Sequence, residues 1–159
     1  MQFSTADLCD ADEGKVQVAL PDFIDYGGRK RFCGAISTVK VHEDNSLVRA
    51  ALEEPGLGRV LVVDGGASRR CALLGDKLAR LGMSNGWTGM VISGCIRDSA
   101  AIAGMDIGVK ALGTSPRRSV KQGAGERDVT VAFSGATFDA GAYLYADEDG
   151  ILISPGRPV

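Results

Sequence analysis

The residues best suited to chemistry in this sequence stand at the ends of apolar segments. Arg97 and Asp98 follow directly after the apolar run VISGCI. The planar guanidinium of an arginine suits a carboxylate ligand, and aspartate oxygens are hard ligands that suit Mg²⁺ or Mn²⁺. The pair therefore predicts a site for an anionic substrate, for a divalent metal, or for both.

Two further segments are expected to meet this pair. The segment 64–66, Asp-Gly-Gly, ends an apolar run, and the segment 75–78, Gly-Asp-Lys-Leu, opens a helix. In open α/β sheets, sites form beyond the carboxyl ends of the strands. The free N–H groups of the helix start at Gly75, Asp76, Lys77 and Leu78 would face an anion there. The Lys77 ammonium is a further candidate for binding a carboxylate.

Each of these residues also has a structural interpretation, which the sequence leaves open. Asp76 could cap its own helix, since aspartate is favoured at helix starts. Arg97 could pair with a surface carboxylate. Asp98 could cap the next predicted helix, SAAIAG.

The elements that must position these residues alternate between strand and helix. Apolar strands are predicted at 33–41, 58–66, 87–98 and 106–116, and helices at 4–14, 43–56, 75–86 and 99–105. Strands and helices at this spacing predict an α/β fold built from parallel βαβ units. The last segment, 128–154, has short alternating runs broken by glycines, which predicts antiparallel hairpins.

Composition narrows the functional classes. The chain has 159 residues, which predicts a single domain over 1–159, and its formal charge of −2 gives no reason to expect direct nucleic-acid binding. No apolar run approaches the roughly 20 residues of a membrane helix. The acidic N-terminal segment lacks the features of a signal peptide, so a cytoplasmic location is expected.

Cysteine and histidine usage excludes further classes. The four cysteines form no C-x-x-C pair, and His42 is the single histidine, so a multi-histidine zinc site is excluded. His42 itself is expected at the surface. Cys71 follows Arg69 and Arg70, which could lower the pKa of its thiol, although an inert thiol is the favoured interpretation.

A basic patch lies further along the chain, at Arg117, Arg118 and Lys121. A solvated loop is the first interpretation of these residues, and anion binding is the second.

In order and spacing, the segments of this chain resemble the RraA-like family over nearly the whole length. This family includes the regulator of ribonuclease activity A and the 4-hydroxy-4-methyl-2-oxoglutarate aldolases; some members carry a demethylmenaquinone methyltransferase label that does not suit the fold. The segments that carry the resemblance are TADLCD, DYGGRKRFCGAISTVKV, EDNSLV, GRVLVVDGG, GDKLARL, GWTGMVISGCIRD, DIGVKALGTSPRRS, GAGERDV and YADEDGILI.

The resemblance implies a fold and an activity. Catalytic members have the pattern D-x20-R-D, which is intact here as Asp76, Arg97 and Asp98. The implied fold is a compact α/β sandwich with a mixed sheet, similar to swivelling phosphohistidine domains and assembled as a homotrimer. The implied activity is metal-dependent retro-aldol cleavage of 4-hydroxy-4-methyl-2-oxoglutarate, with oxaloacetate decarboxylation as a side activity. The alternative is a regulator that binds and inhibits an endoribonuclease.

The resemblance also implies a role for each site residue. Asp98 would hold the divalent metal, Mg²⁺ or Mn²⁺, and Asp76 would orient metal-bound water. Arg97 would bind the pyruvyl part of the 2-oxo acid substrate, and the backbone of 75–78 would hold its carboxylate. Longer aldolases of the family use a C-terminal acidic residue in a neighbour's site. This chain stops at Val159, so its base is expected to differ.

Overall fold

The computed structural model describes residues 2–157, so Val159 and its immediate neighbour lie outside the described residues. The helices of this part are α1 (Thr5–Asp10), α2 (Ser46–Glu53), α3 (Asp76–Ser84) and α4 (Ser99–Ala103). The strands are β1 (Gln17–Val18), β2 (Ile24–Asp25), β3 (Phe32–Lys40), β4 (Val60–Asp64), β5 (Ala72–Leu74), β6 (Gly89–Ile96), β7 (Gly108–Thr114), β8 (Glu126–Arg127), β9 (Val131–Phe133), β10 (Ala136–Phe138), β11 (Tyr143–Asp147) and β12 (Gly150–Ser154).

A large mixed sheet organises the molecule, in the order β1-β12-β11-β3-β4-β6-β7-β2. Strands β3, β4, β6 and β7 are parallel, and β5 adds a further parallel pairing to β6. The parallel βαβ units and the mixed sheet are therefore confirmed. The C-terminal hairpins are confirmed as well, because β9 pairs with β10 and β11 with β12 in antiparallel register.

The parallel strands are apolar because both of their faces are covered. Successive side chains of a strand point to opposite faces, and β4 illustrates this. Leu61 and Val63 pack in the cluster that contains the helices, whereas Val60 and Val62 pack with the C-terminal strands β9 to β12. The result is an α/β sandwich in which α2, α3 and α4 cover one face of the parallel strands and the C-terminal strands cover the other.

The observed helices α2, α3 and α4 begin and end within three residues of their predicted bounds, whereas α1 ends at Asp10, four residues before its predicted end. Ser4 caps α1 by accepting the N–H of Asp7. In α2 the side chains of Val48, Ala51 and Leu52 are buried. Trp87 is buried after α3, and its indole N–H donates to the carbonyl of Glu54. Among the described residues, no helix is long and apolar enough to cross a membrane.

Candidate active site

A cleft of about 500 Å³ opens at the carboxyl ends of the parallel strands. It is bordered by the start of α2, the end of β5, the start of α3, the residues after β6 and the loop after β7. Its lining residues are Asn45, Ser46, Arg49, Ala72, Leu74, Gly75, Asp76, Lys77, Leu78, Arg97, Asp98, Arg118, Ser119 and Lys121. The cleft thus brings together all the site residues predicted at 75–78 and at 97–98.

The start of α3 faces this cleft. The backbone N–H of Asp76 donates to Oδ2 of Asp98 at 3.0 Å, although the two residues are 22 positions apart. The first-turn N–H groups of a helix lack intrahelical acceptors, and the helix dipole favours an anion beside them. A Cβ on Gly75 would lie 2.8 Å from Oδ2 of Asp98, so glycine permits the close approach of that carboxylate.

Asp98 has a backbone conformation that non-glycine residues adopt rarely. Its φ of 57° lies in the left-handed region, which costs free energy and is concentrated at functional sites. It precedes α4, but its side chain makes no capping hydrogen bond to that helix. Asp98 therefore occupies the N-cap position of α4, as the structural interpretation has it, but its carboxylate reaches to the start of α3.

Arg97 is held by its backbone and keeps most of its guanidinium available. Its N–H donates to the carbonyl of Leu74 at 2.9 Å, which ties the end of β6 to the end of β5. Nη1 donates to the carbonyl of Pro116 at 3.4 Å. Within residues 2–157 the guanidinium forms no ion pair, so the alternative of a surface ion pair is not observed.

Asp76 is the first residue of α3, and its carboxylate accepts from Nη1 of Arg80 at 3.0 Å. Arg80 is the main reason that the pKa of the Asp76 carboxyl is lowered, and the contact with the Asp98 carboxyl accompanies it. Asp76 is therefore ionised at neutral pH. Of its two neighbours, Lys77 is exposed and lines the cleft, whereas the side chain of Leu78 is buried.

The donor set is compatible with a divalent metal that keeps much of its water. No group of three or more His, Cys, Asp or Glu side chains converges anywhere in residues 2–157. The carboxylates of Asp76 and Asp98 adjoin each other, and Oδ2 of Asp98 accepts the N–H of Asp76. Mg²⁺ is commonly held by one or two carboxylates, with water and substrate oxygens completing its coordination. The two carboxylates of Asp76 and Asp98 meet that requirement.

The structure corrects the expectation that the segment 64–66 joins the site. This segment does not reach the cleft but borders a separate depression with His42, which is exposed at the surface as expected. The glycine of the next strand, Gly94, does not border the cleft either. A Cβ there would lie 3.2 Å from Cδ1 of Leu73, so Gly94 faces the packed interior.

The favoured interpretation of Cys71 agrees with its surroundings. Burial is the main cause that raises the pKa of the Cys71 thiol, and it outweighs the opposite influence of Arg70 and Arg117. The alternative, a thiol whose pKa is lowered by neighbouring arginines, is therefore wrong. Cys33 and Cys95 are buried as well.

The sequence did not single out some of the residues that line the cleft. Asn45 and Arg49 belong to the start of α2, which the sequence presented only as a capped helix. Arg118 and Lys121 were first interpreted as a solvated loop, yet both line the cleft, whereas Arg117 lines an adjoining groove. Their basic character was the available signal, and it favoured the second interpretation, anion binding.

The fold and the cleft define a mixed α/β protein with a carboxylate and guanidinium site at the carboxyl ends of its parallel strands. The sequence model described as RraA-like, Aldolase/RraA, matches residues 5–153. The chain therefore belongs to the RraA-like family.

Individual relatives cover nearly the whole chain. A protein of Aromatoleum aromaticum, provisionally named a 4-hydroxy-4-methyl-2-oxoglutarate aldolase, is 60% identical over 154 residues, which are 97% of each chain. The solved structure of the RNA-processing inhibitor RraA from Thermus thermophilis has a TM-score of 0.97 and 44% identity, covering 100% of this chain and 96% of that one. A Geobacillus kaustophilus structure, described as a 2-dimethylmenaquinone methyltransferase, has a TM-score of 0.94 and 52% identity, covering 98% and 96%.

Proposed function

We propose that this protein is a divalent-metal-dependent lyase that cleaves 4-hydroxy-4-methyl-2-oxoglutarate into two pyruvates. The observation that carries the proposal is the convergence of Asp76, Arg97 and Asp98 with the start of α3 in one cleft. The aldolase name of close relatives supports the same reaction. Assembly as a homotrimer and a cytoplasmic location accompany the proposal as predictions.

The proposed reaction is a retro-aldol cleavage. Removal of the proton from the C4 hydroxyl lets the C3–C4 bond break, which leaves one pyruvate and the enolate of a second. Protonation of that enolate at C3 then gives the second pyruvate. Loss of CO₂ from oxaloacetate also breaks a C3–C4 bond and yields the same enolate, so decarboxylation is expected as a side activity.

The residues of the chain divide this work. Asp98 and Asp76 would hold the metal, Asp98 directly and Asp76 through water; when bound, the metal supplies a Lewis acid for the 2-oxo group. The N–H groups at the start of α3 bind the C1 carboxylate. The guanidinium of Arg97 donates to the oxygen that becomes negative in the enolate. Asp76, ionised at neutral pH, orients the water through which the proton moves.

The test is a pyruvate-release assay. Purified protein is incubated with 4-hydroxy-4-methyl-2-oxoglutarate, or with oxaloacetate, and Mg²⁺ or Mn²⁺, with and without EDTA. We expect turnover of both substrates that EDTA abolishes and added metal restores. If neither substrate shows metal-dependent turnover, the proposal is rejected.

A second function is supported by a separate observation, the close similarity to the RNA-processing inhibitor RraA. Under this alternative the chain binds an endoribonuclease and reduces its cleavage of RNA. A pull-down with the endoribonuclease, combined with an RNA-cleavage assay, tests it. Retention without any lyase activity would favour the regulator, and lack of retention would reject it.

A further inference from the structure

We infer that Arg118 and Lys121, together with Ser119 and Asn45, form a subsite for the second carboxylate of the substrate. The inference rests on the proposed function, because it extends the site that binds the pyruvyl part. It assigns the specificity of the protein to 2-oxo acids that carry a second carboxylate beyond the C1 carboxylate.

The charge of the cleft leads to this assignment. Its lining has more cations than the two carboxylates of Asp76 and Asp98 can neutralise; the cations are Arg49, Lys77, Arg97, Arg118 and Lys121. Arg118 and Lys121 are exposed and form no ion pair with any part of the chain from 2 to 157. Unpaired cations that line a cleft attract an anionic ligand and select against a neutral one.

The loop that carries these cations is fixed by backbone pairing. Arg118 forms a parallel bridge with Ala72, and Val120 forms one with Asp44. The buried carboxylate of Asp44 also accepts the N–H groups of Gln122 at 2.8 Å and Ala124 at 3.3 Å. Lys121 is therefore held between two anchored positions, and such preorganisation lowers the entropy that binding costs.

Two buried polar atoms beside these cations have no hydrogen-bond partner among residues 2–157. They are Oδ1 of Asn45 and Oγ of Ser119, which belong to residues that are 9% and 5% exposed. The Asn45 amide is oriented by its other end, because Nδ2 donates to the carbonyl of Leu73 at 3.3 Å. Buried polar atoms are nearly always paired, so two unpaired ones in the lining of a cleft indicate a ligand.

The chemistry of these atoms matches one end of the proposed substrate. A hydroxyl such as that of Ser119 can donate to a carboxylate, and Oδ1 of Asn45 can accept from a hydroxyl. C4 of 4-hydroxy-4-methyl-2-oxoglutarate bears both a carboxylate and a hydroxyl. With the pyruvyl part bound at Arg97 and α3, the cations Arg118 and Lys121 remain for that carboxylate.

Equilibrium binding tests the subsite without requiring turnover. The probes are 2-oxoglutarate, which has the second carboxylate but cannot undergo the cleavage, and 2-oxopentanoate, which lacks it. Calorimetric titration in the presence of Mg²⁺ compares the wild type with Arg118→Ala and Lys121→Ala. The matched control is Arg117→Ala, since Arg117 is adjacent, exposed and outside the cleft.

The wild type is expected to bind 2-oxoglutarate at least about 10-fold more tightly than 2-oxopentanoate, as for a charge-assisted contact. Arg118→Ala and Lys121→Ala should each weaken 2-oxoglutarate by about 10-fold and leave 2-oxopentanoate within about 2-fold, whereas the control changes neither. Equal affinity of the wild type for both probes would overturn the subsite, and so would variants that weaken both probes equally.

Turnover separates this inference from the proposed function. On 4-hydroxy-4-methyl-2-oxoglutarate the two variants should raise KM with little change in kcat, which is the behaviour of a uniform binding contact. On 4-hydroxy-2-oxopentanoate, which lacks the second carboxylate, they should match the wild type. A wild type that fails to cleave either substrate, yet prefers 2-oxoglutarate in binding, would reject the lyase and retain the subsite.

Discussion

Strands β4 and β6 are parallel neighbours, and each leads into an aspartate, but the two aspartates have different surroundings. Asp64 ends β4, and its Oδ1 accepts the N–H of Gly66, which closes a turn two residues away. Asp98 lies just beyond β6 in a left-handed conformation, and its Oδ2 reaches the start of α3. A carboxylate at a strand end is thus available to a ligand when the backbone directs it to another element instead of to its own turn.

The largest expected effect is the difference between two variants, each of which removes one of these carboxylates. Asp98→Ala removes the proposed direct metal ligand and should lower kcat/KM for pyruvate release by about 1000-fold. Asp64→Ala removes only a turn contact and should stay within about 3-fold. The measurement is steady-state kinetics with saturating Mn²⁺, with thermal unfolding of each variant as the control for folding. Equal losses in both variants would contradict the contrast.

The arginine that adjoins Asp98 extends the comparison. Arg97→Lys should lower kcat by about 100-fold, because an ammonium cannot reproduce the planar fork of donors. The matched control is Arg70→Lys, since Arg70 lies beyond β4 and is paired with Glu43 at 2.6 Å outside the cleft. Near wild-type kcat in Arg97→Lys would show that only the charge matters.

Both oxygens of the Asp44 carboxylate accept hydrogen bonds from the chain itself. We therefore expect Asp44 to make the stability of the protein depend on pH and not on metal. Burial alone would raise the pKa of the Asp44 carboxyl, but hydrogen bonds from Ser46, Gln122 and Ala124 lower it to about 2. A lowered folded pKa stabilises the protein above the unfolded value near 4. We expect about 2 kcal/mol of stability to be lost as the pH falls from about 4 to about 2.

Urea unfolding at pH 7 and pH 3 measures this contribution, with Asp44→Asn as the comparison. The variant should be less stable than the wild type at pH 7, and the difference should shrink at pH 3. An equal difference at both pH values would mean that the Asp44 carboxylate does not carry the effect.

The smallest expected effect comes from two glycines beside these aspartates. Gly75→Ala places a Cβ 2.8 Å from Oδ2 of Asp98, so the carboxylate must move, and the apparent Mn²⁺ affinity should fall by about 10-fold. Gly94→Ala meets Leu73 instead and should cost about 1 kcal/mol of stability with unchanged Mn²⁺ affinity. Titration of Mn²⁺ by electron paramagnetic resonance, with urea unfolding in parallel, distinguishes the two. Unchanged Mn²⁺ affinity in Gly75→Ala would contradict this placement of the metal.

The sequence predicts the parts of this site that depend on local patterns. It does not predict the parts that depend on contacts between residues far apart in the sequence. Arg97 and Asp98 were predicted from residue type and from their place after an apolar strand, which are local signals. The parallel sheet followed from the alternation of elements. The three-residue strand β5 was missed, because Ala72–Leu74 is too short to give a periodic pattern.

The border of the cleft formed by the loop after β7 could not be predicted from local sequence patterns. Arg118 reaches the cleft because the loop after β7 bridges to Ala72 and Asp44, residues far away in the sequence. No spacing or composition indicates such a pairing. For the same reason the segment 64–66 was placed in the site, since parallel strand ends share an edge, whereas hydrogen bonding within its own turn keeps it apart.

Exchange of the C3 protons of pyruvate in D₂O, followed by proton NMR, tests the central claim most directly, since it reports formation of the enolate alone. We predict exchange in the wild type that requires Mg²⁺ or Mn²⁺, that EDTA abolishes, that Asp98→Ala eliminates and that Asp64→Ala preserves. Exchange that persists in EDTA or in Asp98→Ala, or that is absent from the metal-loaded wild type, would contradict the account.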